Sequence, residues 1–283
     1  MKKHLAGIKW MFGFILIDSF ILNAVKHMST GMSSLQILTL CNGFAAILFA
    51  ITLKKKGMKL FSKNIYLHLL RVAIEFIAAN MMFVAIYLLP MAQMRATMLL
   101  TPVYVGIWAV LILGEKSTKE KWLALLLGLA GVLIVVRPDV SSFSMVSLLP
   151  LAASFLFSFG VLILKILSGR EHPYQVAFNY TFLTSLVSLP ITFAAWQPIS
   201  PIYWKWILIL GILFFAVHIT LTNALRRTPL LVIAPFMFLG LVAASFVAFI
   251  AFGEIPAVNV IIGGFVIVAV VTYTTYREAK NGR

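Results

Sequence analysis

The stretch that decides the fold is LLRVAIEFIAANMMFVAIYLLP, Leu69–Pro90, together with the run that follows it, MAQMRATMLLTPVYVGIWAVLILGE, Met91–Glu115. Each run is long enough to cross the roughly 30 Å of bilayer hydrocarbon as an α-helix. Three charged side chains, Arg71, Glu75 and Arg95, nevertheless interrupt the apolar sequence. A charge at the centre of a membrane helix costs about 2.5 to 3.5 kcal/mol on insertion scales. The stretch therefore predicts two membrane helices whose charges are paired or used.

The composition of the whole chain is that of an integral membrane protein. Of its 283 residues, 62% are hydrophobic and 11% are charged, whereas a soluble domain carries about 25% charged residues. The net charge of +15 comes from short Lys and Arg clusters between apolar runs. Such clusters encode membrane topology, so we expect no nucleic-acid partner. The single cysteine, Cys41, excludes an intrachain disulfide, and no His or Cys pair has metal-ligand spacing, so we expect no metal and no cofactor.

Ten apolar segments of about 17 to 24 residues predict an all-α integral membrane fold with ten transmembrane helices. They are residues 8–26, 33–53, 66–87, 91–113, 121–137, 144–166, 174–195, 204–224, 229–252 and 256–276. If the N-terminus is cytoplasmic, 18 Lys and Arg lie in cytoplasmic segments, and three, Lys26, Arg137 and Lys205, lie outside. This bias predicts a multi-pass protein of the bacterial inner membrane with both termini in the cytoplasm.

A shift of 139 residues superposes residues that are uncommon inside apolar helices. The matched pairs are Lys26 with Lys165, Gln36 with Gln175, Ala85 with Ala224, Pro90 with Pro229, and Gly114-Glu115 with Gly253-Glu254. The shift moves five helices, an odd number, so equivalent residues lie on opposite sides of the membrane. The sequence therefore predicts two inverted five-helix repeats, residues 1–140 and 141–283, of the kind that supports alternating access.

The ends of the fourth and ninth segments resemble a known family. The run TPVYVGIWAVLILGE, Thr101–Glu115, followed by LGLAGVLI, Leu127–Ile134, resembles the Pro-then-Gly-Glu ending and Gly-containing continuation of the EamA-type transporters in the drug/metabolite transporter superfamily. The second copy, Phe252-Gly253-Glu254, is less complete. HLLRVAIEF, His68–Phe76, resembles a branch that includes S-adenosylmethionine carriers. The resemblance implies ten helices in two repeats and a transporter, not an enzyme.

Four intramembrane charges are the first candidates for a substrate site. Arg71 and Glu75 are four residues apart and share one helix face. They predict either a structural ion pair or a cavity pair in which Arg71 takes a carboxylate and Glu75 takes an amine or a proton. Asp18 lies near the centre of the first segment. Arg95 lies in the outer third of the fourth segment, where it serves as a gate or as an interfacial anchor.

Further candidates lie in the fourth and eighth segments. Pro102 predicts a bend in the fourth helix. Tyr104 and Trp108 are too deep for an interfacial belt, so they are core packing or substrate-stacking groups. His218 and Asn223 predict either hydrogen-bonded structure or a proton relay. Because the repeat shift duplicates none of the charges in the third and fourth segments, we expect an asymmetric site formed mainly by the first, third and fourth helices.

These observations favour a secondary transporter of a small organic solute that works by alternating access. The mixed charges favour an amphiphilic or zwitterionic substrate, such as an amino acid or an S-adenosylmethionine-like metabolite. The run GEKST, residues 114–118, lacks the order of a phosphate-binding loop, so a proton or an exchanged solute is the expected coupling partner. The alternatives are a membrane-embedded lipid-modifying enzyme and a non-transporting scaffold. The sequence leaves open whether the protein is a monomer or a homodimer.

Overall fold

The computed structural model describes residues 2–29, 31–89, 97–136, 145–253 and 255–280, and every regular element in these ranges is helical. A one-turn 3-10 helix, Met145–Ser147, precedes the sixth of the α-helices. The α-helices of these ranges are α1 (Lys2–Met28), α2 (Ser34–Lys55), α3 (Ile65–Leu88), α4 (Thr101–Leu111), α5 (Lys119–Val136), α6 (Leu148–Arg170), α7 (Pro173–Ala194), α8 (Pro201–Arg227), α9 (Leu230–Met237), α10 (Leu239–Phe252) and α11 (Val258–Lys280).

In the part of the chain that the structure describes, eight helical segments are long and apolar enough to cross a membrane. They coincide with eight of the ten predicted segments, and α9 and α10 together form one of them. The predicted segment 121–137 corresponds to α5, whose first turn holds three charged residues. The predicted segment 91–113 is represented by α4, because residues 90–96 lie outside the described ranges. The prediction of a multi-pass, all-α membrane protein is confirmed.

Two of the predicted membrane helices are interrupted. A turn at Leu99 and Leu100 precedes α4, so Pro102 lies in the first turn of a helix and does not bend a continuous one. The backbone nitrogen of a first-turn residue has no helical acceptor, so proline costs no hydrogen bond there. In the ninth segment, Phe238 separates α9 from α10. The shift of 139 residues places Phe238 on Leu99.

Helix pairs from different parts of the chain form the bundle. The most extensive pairs are α1 with α8, α2 with α7, α3 with α6, and α5 with α11, and α4 packs on α9. In the α5–α11 pair, Gly131 and Gly263 let the two backbones meet. Small residues at such crossings allow the close van der Waals packing that holds membrane helices together.

The turn between α8 and α9 is held from both sides by duplicated charges. Lys165 Nζ of α6 donates hydrogen bonds to the carbonyl oxygens of Leu225 at 2.5 Å and Thr228 at 2.6 Å. The Glu115 carboxylate accepts hydrogen bonds from the backbone N–H groups of Leu230 at 2.6 Å and Leu231 at 2.9 Å. A cation thus binds the carbonyl end of one helix and an anion binds the amide end of the next, as the helix dipoles favour.

The duplicated glutamines fasten two loops in the same way. Gln175 Nε2 of α7 donates to the carbonyl oxygens of Lys59 and Phe61, both at 3.0 Å, in the loop that precedes α3. Gln36 Nε2 of α2 donates to the carbonyl oxygen of Gln197 at 2.8 Å, in the loop that precedes α8. Each glutamine therefore binds the loop of the other half of the chain.

Candidate functional site

Arg71 and Glu75 form an ion pair on one face of α3. Arg71 Nε donates to Glu75 Oε1 at 2.8 Å, and the Arg71 side chain is 6% exposed. Helix α6 approaches closely because Gly160 faces Glu75, where any larger side chain would overlap the carboxylate. The four-residue spacing thus brings the two charges together as the sequence predicts, and each reduces the other's cost of burial.

Tyr180 of α7 completes the surroundings of this pair. Its hydroxyl donates to Glu75 Oε2 at 2.6 Å, and its ring lies 3.9 Å below Arg71 Cζ. A desolvated guanidinium over an aromatic face is attracted by the negative face of the ring. The ring of His218, on α8, lies 5.0 Å from the Tyr180 ring. We call Arg71, Glu75, Tyr180 and His218 the central cluster.

The hydrogen bonds of the central cluster leave one group available for a ligand. Each oxygen of Glu75 accepts one hydrogen bond, so its carboxylate is held between Arg71 and Tyr180. Arg71 uses Nε alone, and no described residue accepts a hydrogen bond from its two terminal nitrogens. A guanidinium fixed through Nε and presenting both terminal nitrogens is suited to a carboxylate, which binds them in a bidentate manner.

Tyr104 and Trp108 lie in an aromatic group beside the central cluster. The Tyr104 ring is 5.4 Å from that of Phe155, and the Trp108 ring is 4.5 Å from that of Phe159. Trp108 Nε1 donates to Ser158 Oγ at 2.8 Å, which joins α4 to α6. Both residues therefore pack α4 against α6. Their contacts on α6 lie in the turn just before Gly160, which faces Glu75.

No hydrogen bond joins the remaining predicted residues to the central cluster within the described ranges, and Arg95 lies outside those ranges. Asn223 is buried near the end of α8, and its Oδ1 accepts a hydrogen bond from Arg227. Asp18 lies on α1 and makes no hydrogen bond or ion pair with the residues that the structure describes.

Sequence reasoning did not find Tyr180, which the 139-residue shift places on Cys41. A signal was nevertheless present in α7. Thr181, Thr184, Ser185 and Ser188 give this helix more hydroxyl groups than a lipid-facing helix needs. Such side chains mark a helix that faces protein.

A second buried polar cluster joins the end of α6 to the start of α3. Glu171 Oε2 lies 3.0 Å from Nε2 of His68, which is fully buried. Glu171 Oε1 accepts hydrogen bonds from Asn64 Nδ2 at 2.8 Å and from the Ser62 hydroxyl. Burial raises the pKa of Glu171, but the hydrogen bonds from His68, Ser62 and Asn64 outweigh it, so the pKa lies below its ordinary value.

We expect Glu171→Gln to lower the unfolding temperature of the protein by several degrees at pH 7. The difference in unfolding temperature between wild type and variant should become smaller at acid pH. Because the folded-state pKa is depressed, the ionised carboxylate stabilises the fold above about pH 4.5 and this contribution is lost as the pH falls further. Thermal unfolding of the purified wild type and variant in detergent at pH 7 and pH 4 measures this difference.

The matched control for Glu171 is Glu120→Gln, because Glu120 pairs with Arg277 at an exposed position. Exposed ion pairs contribute little to stability, so this variant should unfold like the wild type. Equal unfolding of the Glu171 variant and the wild type at pH 7 would contradict a stabilising role for the second cluster.

Comparison with curated proteins gives matches over nearly the whole chain. The S-adenosylmethionine uptake transporter of Rickettsia prowazekii is 24% identical over 99% of this chain and 96% of its own. The riboflavin transporter of Vibrio cholerae is 25% identical over 100% of this chain and 97% of its own. The pseudopaline exporter of Pseudomonas aeruginosa is 23% identical over 88% of each chain. All three names are those of transporters or exporters and not of enzymes.

A solved crystal structure and a family match complete the comparison. The crystal structure superposes on this chain with a TM-score of 0.77, covering 94% of this chain and 97% of that one at 17% identity, which supports the fold alone. Residues 5–137 match the EamA-like transporter family. The first half of the chain is therefore similar to that family, and the chain as a whole is similar to proteins named as transporters.

Proposed function

We propose that this protein is a secondary transporter that moves a small organic zwitterion across the bacterial inner membrane by alternating access. The observation that carries the proposal is the central cluster. Its ion pair, Arg71 and Glu75, belongs to the first half of the chain, whereas Tyr180 and His218, which contact it, belong to the second. Charges buried in a membrane bundle at the junction of two halves are typical of a substrate pathway.

Helix packing supports the division into two inverted repeats, residues 1–140 and 141–283. Under the 139-residue shift, α1, α2 and α3 correspond to α6, α7 and α8, and α5 corresponds to α11. The shift therefore converts the α1–α8 pair into the α6–α3 pair, and the reverse. The α2–α7 and α5–α11 pairs are each converted into themselves. The pattern of main packing pairs is unchanged by the exchange, as expected for halves related by a two-fold axis in the membrane plane.

The roles of duplicated and unduplicated residues support the same assignment. Lys165, Glu115 and the glutamines at 36 and 175, all members of duplicated pairs, bind backbone atoms of turns and loops. The central cluster has no duplicate. Residues shared by the halves thus hold the scaffold, and residues unique to one half form the site.

The interrupted helices support a site near the middle of the membrane. The breaks before α4 and at Phe238 are equivalent under the repeat shift, and α4 packs on α9. Discontinuous helices in corresponding positions of two repeats commonly form the substrate site of secondary transporters.

The substrate class follows from the charges of the cluster. The terminal nitrogens of Arg71 suit a carboxylate, and the intramembrane carboxylates suit a cationic group, so a zwitterion matches both. S-adenosylmethionine, a sulfonium amino acid, is the first candidate because relatives named for its uptake match 99% of this chain. A proton or an exchanged solute would drive transport. The Lys and Arg bias supports cytoplasmic termini, and a monomer or a homodimer would accommodate the site.

A counterflow assay tests the proposal. We expect proteoliposomes loaded with unlabelled S-adenosylmethionine, or with another member of an amino acid, riboflavin and nucleoside panel, to take up the labelled solute in a saturable manner. Glu75→Gln should reduce this uptake about 10-fold or more, because the charge-assisted hydrogen bond that aims Arg71 is lost.

The control variant is Glu120→Gln, which makes the same chemical change at an exposed position and should retain uptake. Both variants must be present at wild-type levels in the membrane. No counterflow with any solute would contradict the transporter assignment, and wild-type uptake by Glu75→Gln would show that Glu75 is structural.

A further inference from the structure

Asp18 differs from the other carboxylates of the described residues. Six of the chain's eight Asp and Glu residues lie in the described ranges. Five have partners: Glu75 with Arg71 and Tyr180, Glu115 with two backbone amides, Glu120 with Arg277, Glu171 with His68, and Glu278 with His4. Within this part of the chain, Asp18 alone makes no hydrogen bond or ion pair.

Asp18 also lies deep in its helix. The apolar span of α1 runs from His4 to Met28. At 1.5 Å per residue, Asp18 is about 21 Å from one end and about 15 Å from the other. An unpaired carboxylate at this depth is among the most expensive placements in a membrane protein. A purely structural helix would carry Leu or Ala at this position instead.

The side chain of Asp18 is on the face of α1 that points into the bundle. Ile21 packs against α8, and Asn23 Nδ2 donates to the Ala244 carbonyl oxygen of α10 at 3.1 Å. Leu16 and Phe20, on the opposite face, are exposed, as is Leu22, one turn along from Asp18, and Asp18 itself is partly exposed. At about 100° per residue, Asp18 lies between the α8 side and the α10 side and opposite Leu16 and Phe20.

The register of α1 against α8 sets the level of Asp18. The two helices are antiparallel, since Gly7 lies against Ala224 and Gly13 lies against Thr220. Asp18 is therefore level with about residue 215, less than one turn from His218. His218 contacts Tyr180, which binds Glu75 and lies below Arg71.

Among the described residues, other titratable groups near Asp18 are few. His218 is the nearest on α8 in register. Helices α9 and α10, which also pack on α1, carry no titratable side chain. The titratable groups of α11 lie in its last two turns, where Glu278 binds His4 at the far end of α1.

We propose that Asp18, and not Glu75, is the carboxylate that binds a cation during transport. The cation is either the cationic group of the zwitterion or a proton that crosses with it. This inference rests on the proposed transport function. Glu75 already neutralises Arg71 and accepts a hydrogen bond on each oxygen, so we assign it the role of positioning Arg71 and assign cation binding to Asp18. Asp18 and the terminal nitrogens of Arg71 then bind the two charges of one substrate.

Thermal stability gives a test that does not depend on the substrate. In the empty protein at pH 7.5, Asp18→Asn removes a charge that no described residue compensates, and should raise the unfolding temperature by about 2 to 4 °C. Glu75→Gln breaks a partnered charge and should lower it. An unchanged or lower unfolding temperature for Asp18→Asn would overturn the inference, whatever the transport assays give.

Transport then separates the two sources of the cation, with S-adenosylmethionine and its uncharged-sulfur analogue S-adenosylhomocysteine as probes. If Asp18 binds the substrate cation, Asp18→Asn should reduce the preference for S-adenosylmethionine over S-adenosylhomocysteine at least 10-fold. If Asp18 binds a proton, the variant should keep the wild-type preference and still show counterflow, but it should lose accumulation of the solute driven by a pH gradient. Wild-type behaviour of Asp18→Asn in both assays would overturn the inference, whereas a wild type that moves no solute of the panel contradicts the transporter assignment itself.

Discussion

Replacing Arg71 with leucine should leave little folded protein in the membrane, whereas replacing Arg71 and Glu75 together should restore folding without restoring transport. The single change leaves the Glu75 carboxylate buried without its cation, which costs about 3 to 5 kcal/mol for a buried pair. Removal of both charges eliminates that penalty. Only the Tyr180 hydroxyl then loses its acceptor, so adding Tyr180→Phe should complete the recovery.

This series decides whether the ion pair is structural or functional. Folded yield and unfolding temperature report the structural role, and counterflow reports the functional one. The control is Arg277→Leu, which breaks the exposed pair with Glu120 and should have little effect on either. If the folded double or triple variant transports at the wild-type rate, the central cluster is a structural device and the substrate binds elsewhere.

Gly263→Ala should destabilise the protein, whereas the same change at the adjacent Gly264 should not. A Cβ at Gly263 would overlap the Gly131 carbonyl oxygen and lie 2.5 Å from Val135 Cγ2, so α5 and α11 would have to separate. Overpacking of this kind costs about 1 to 3 kcal/mol, which lowers the unfolding temperature by about 2 to 12 °C.

The control at Gly264 tests whether glycine is needed for space. There a Cβ would lie 3.6 Å from the Val242 side chain, an ordinary contact. Alanine also forms helix better than glycine by about 1 kcal/mol, so this variant should be as stable as the wild type or more so. Equal unfolding temperatures for the two variants would contradict a tight α5–α11 crossing.

The helices and the first ion pair were predictable because both depend on local spacing. Apolar runs of membrane length became helices, and the four-residue spacing brought Arg71 to Glu75. The helix break at Phe238 was not predictable from apolar content, because the residues on both sides of the break are equally apolar.

The rest of the site depends on which helices meet, and a single sequence does not specify this. Tyr180 is 105 residues from Glu75, and Glu171 is 103 residues from His68. Each contact requires α7 or the end of α6 to lie against α3. The prediction of a site formed mainly by the first, third and fourth helices therefore omitted the contribution of α7. The role of Asp18 on α1 stays a prediction.

The duplicated pairs have a consequence for how such a protein changes its cargo. Lys165, Glu115 and the paired glutamines bind backbone atoms, so their contacts do not depend on which side chains surround the solute. On the proposed assignment, the side chains at 18, 71, 75, 180 and 218 that surround the solute are not the ones that hold the turns. We therefore expect a change of solute to require replacement of these positions together, with the contacts of Lys165, Glu115 and the two glutamines kept unchanged.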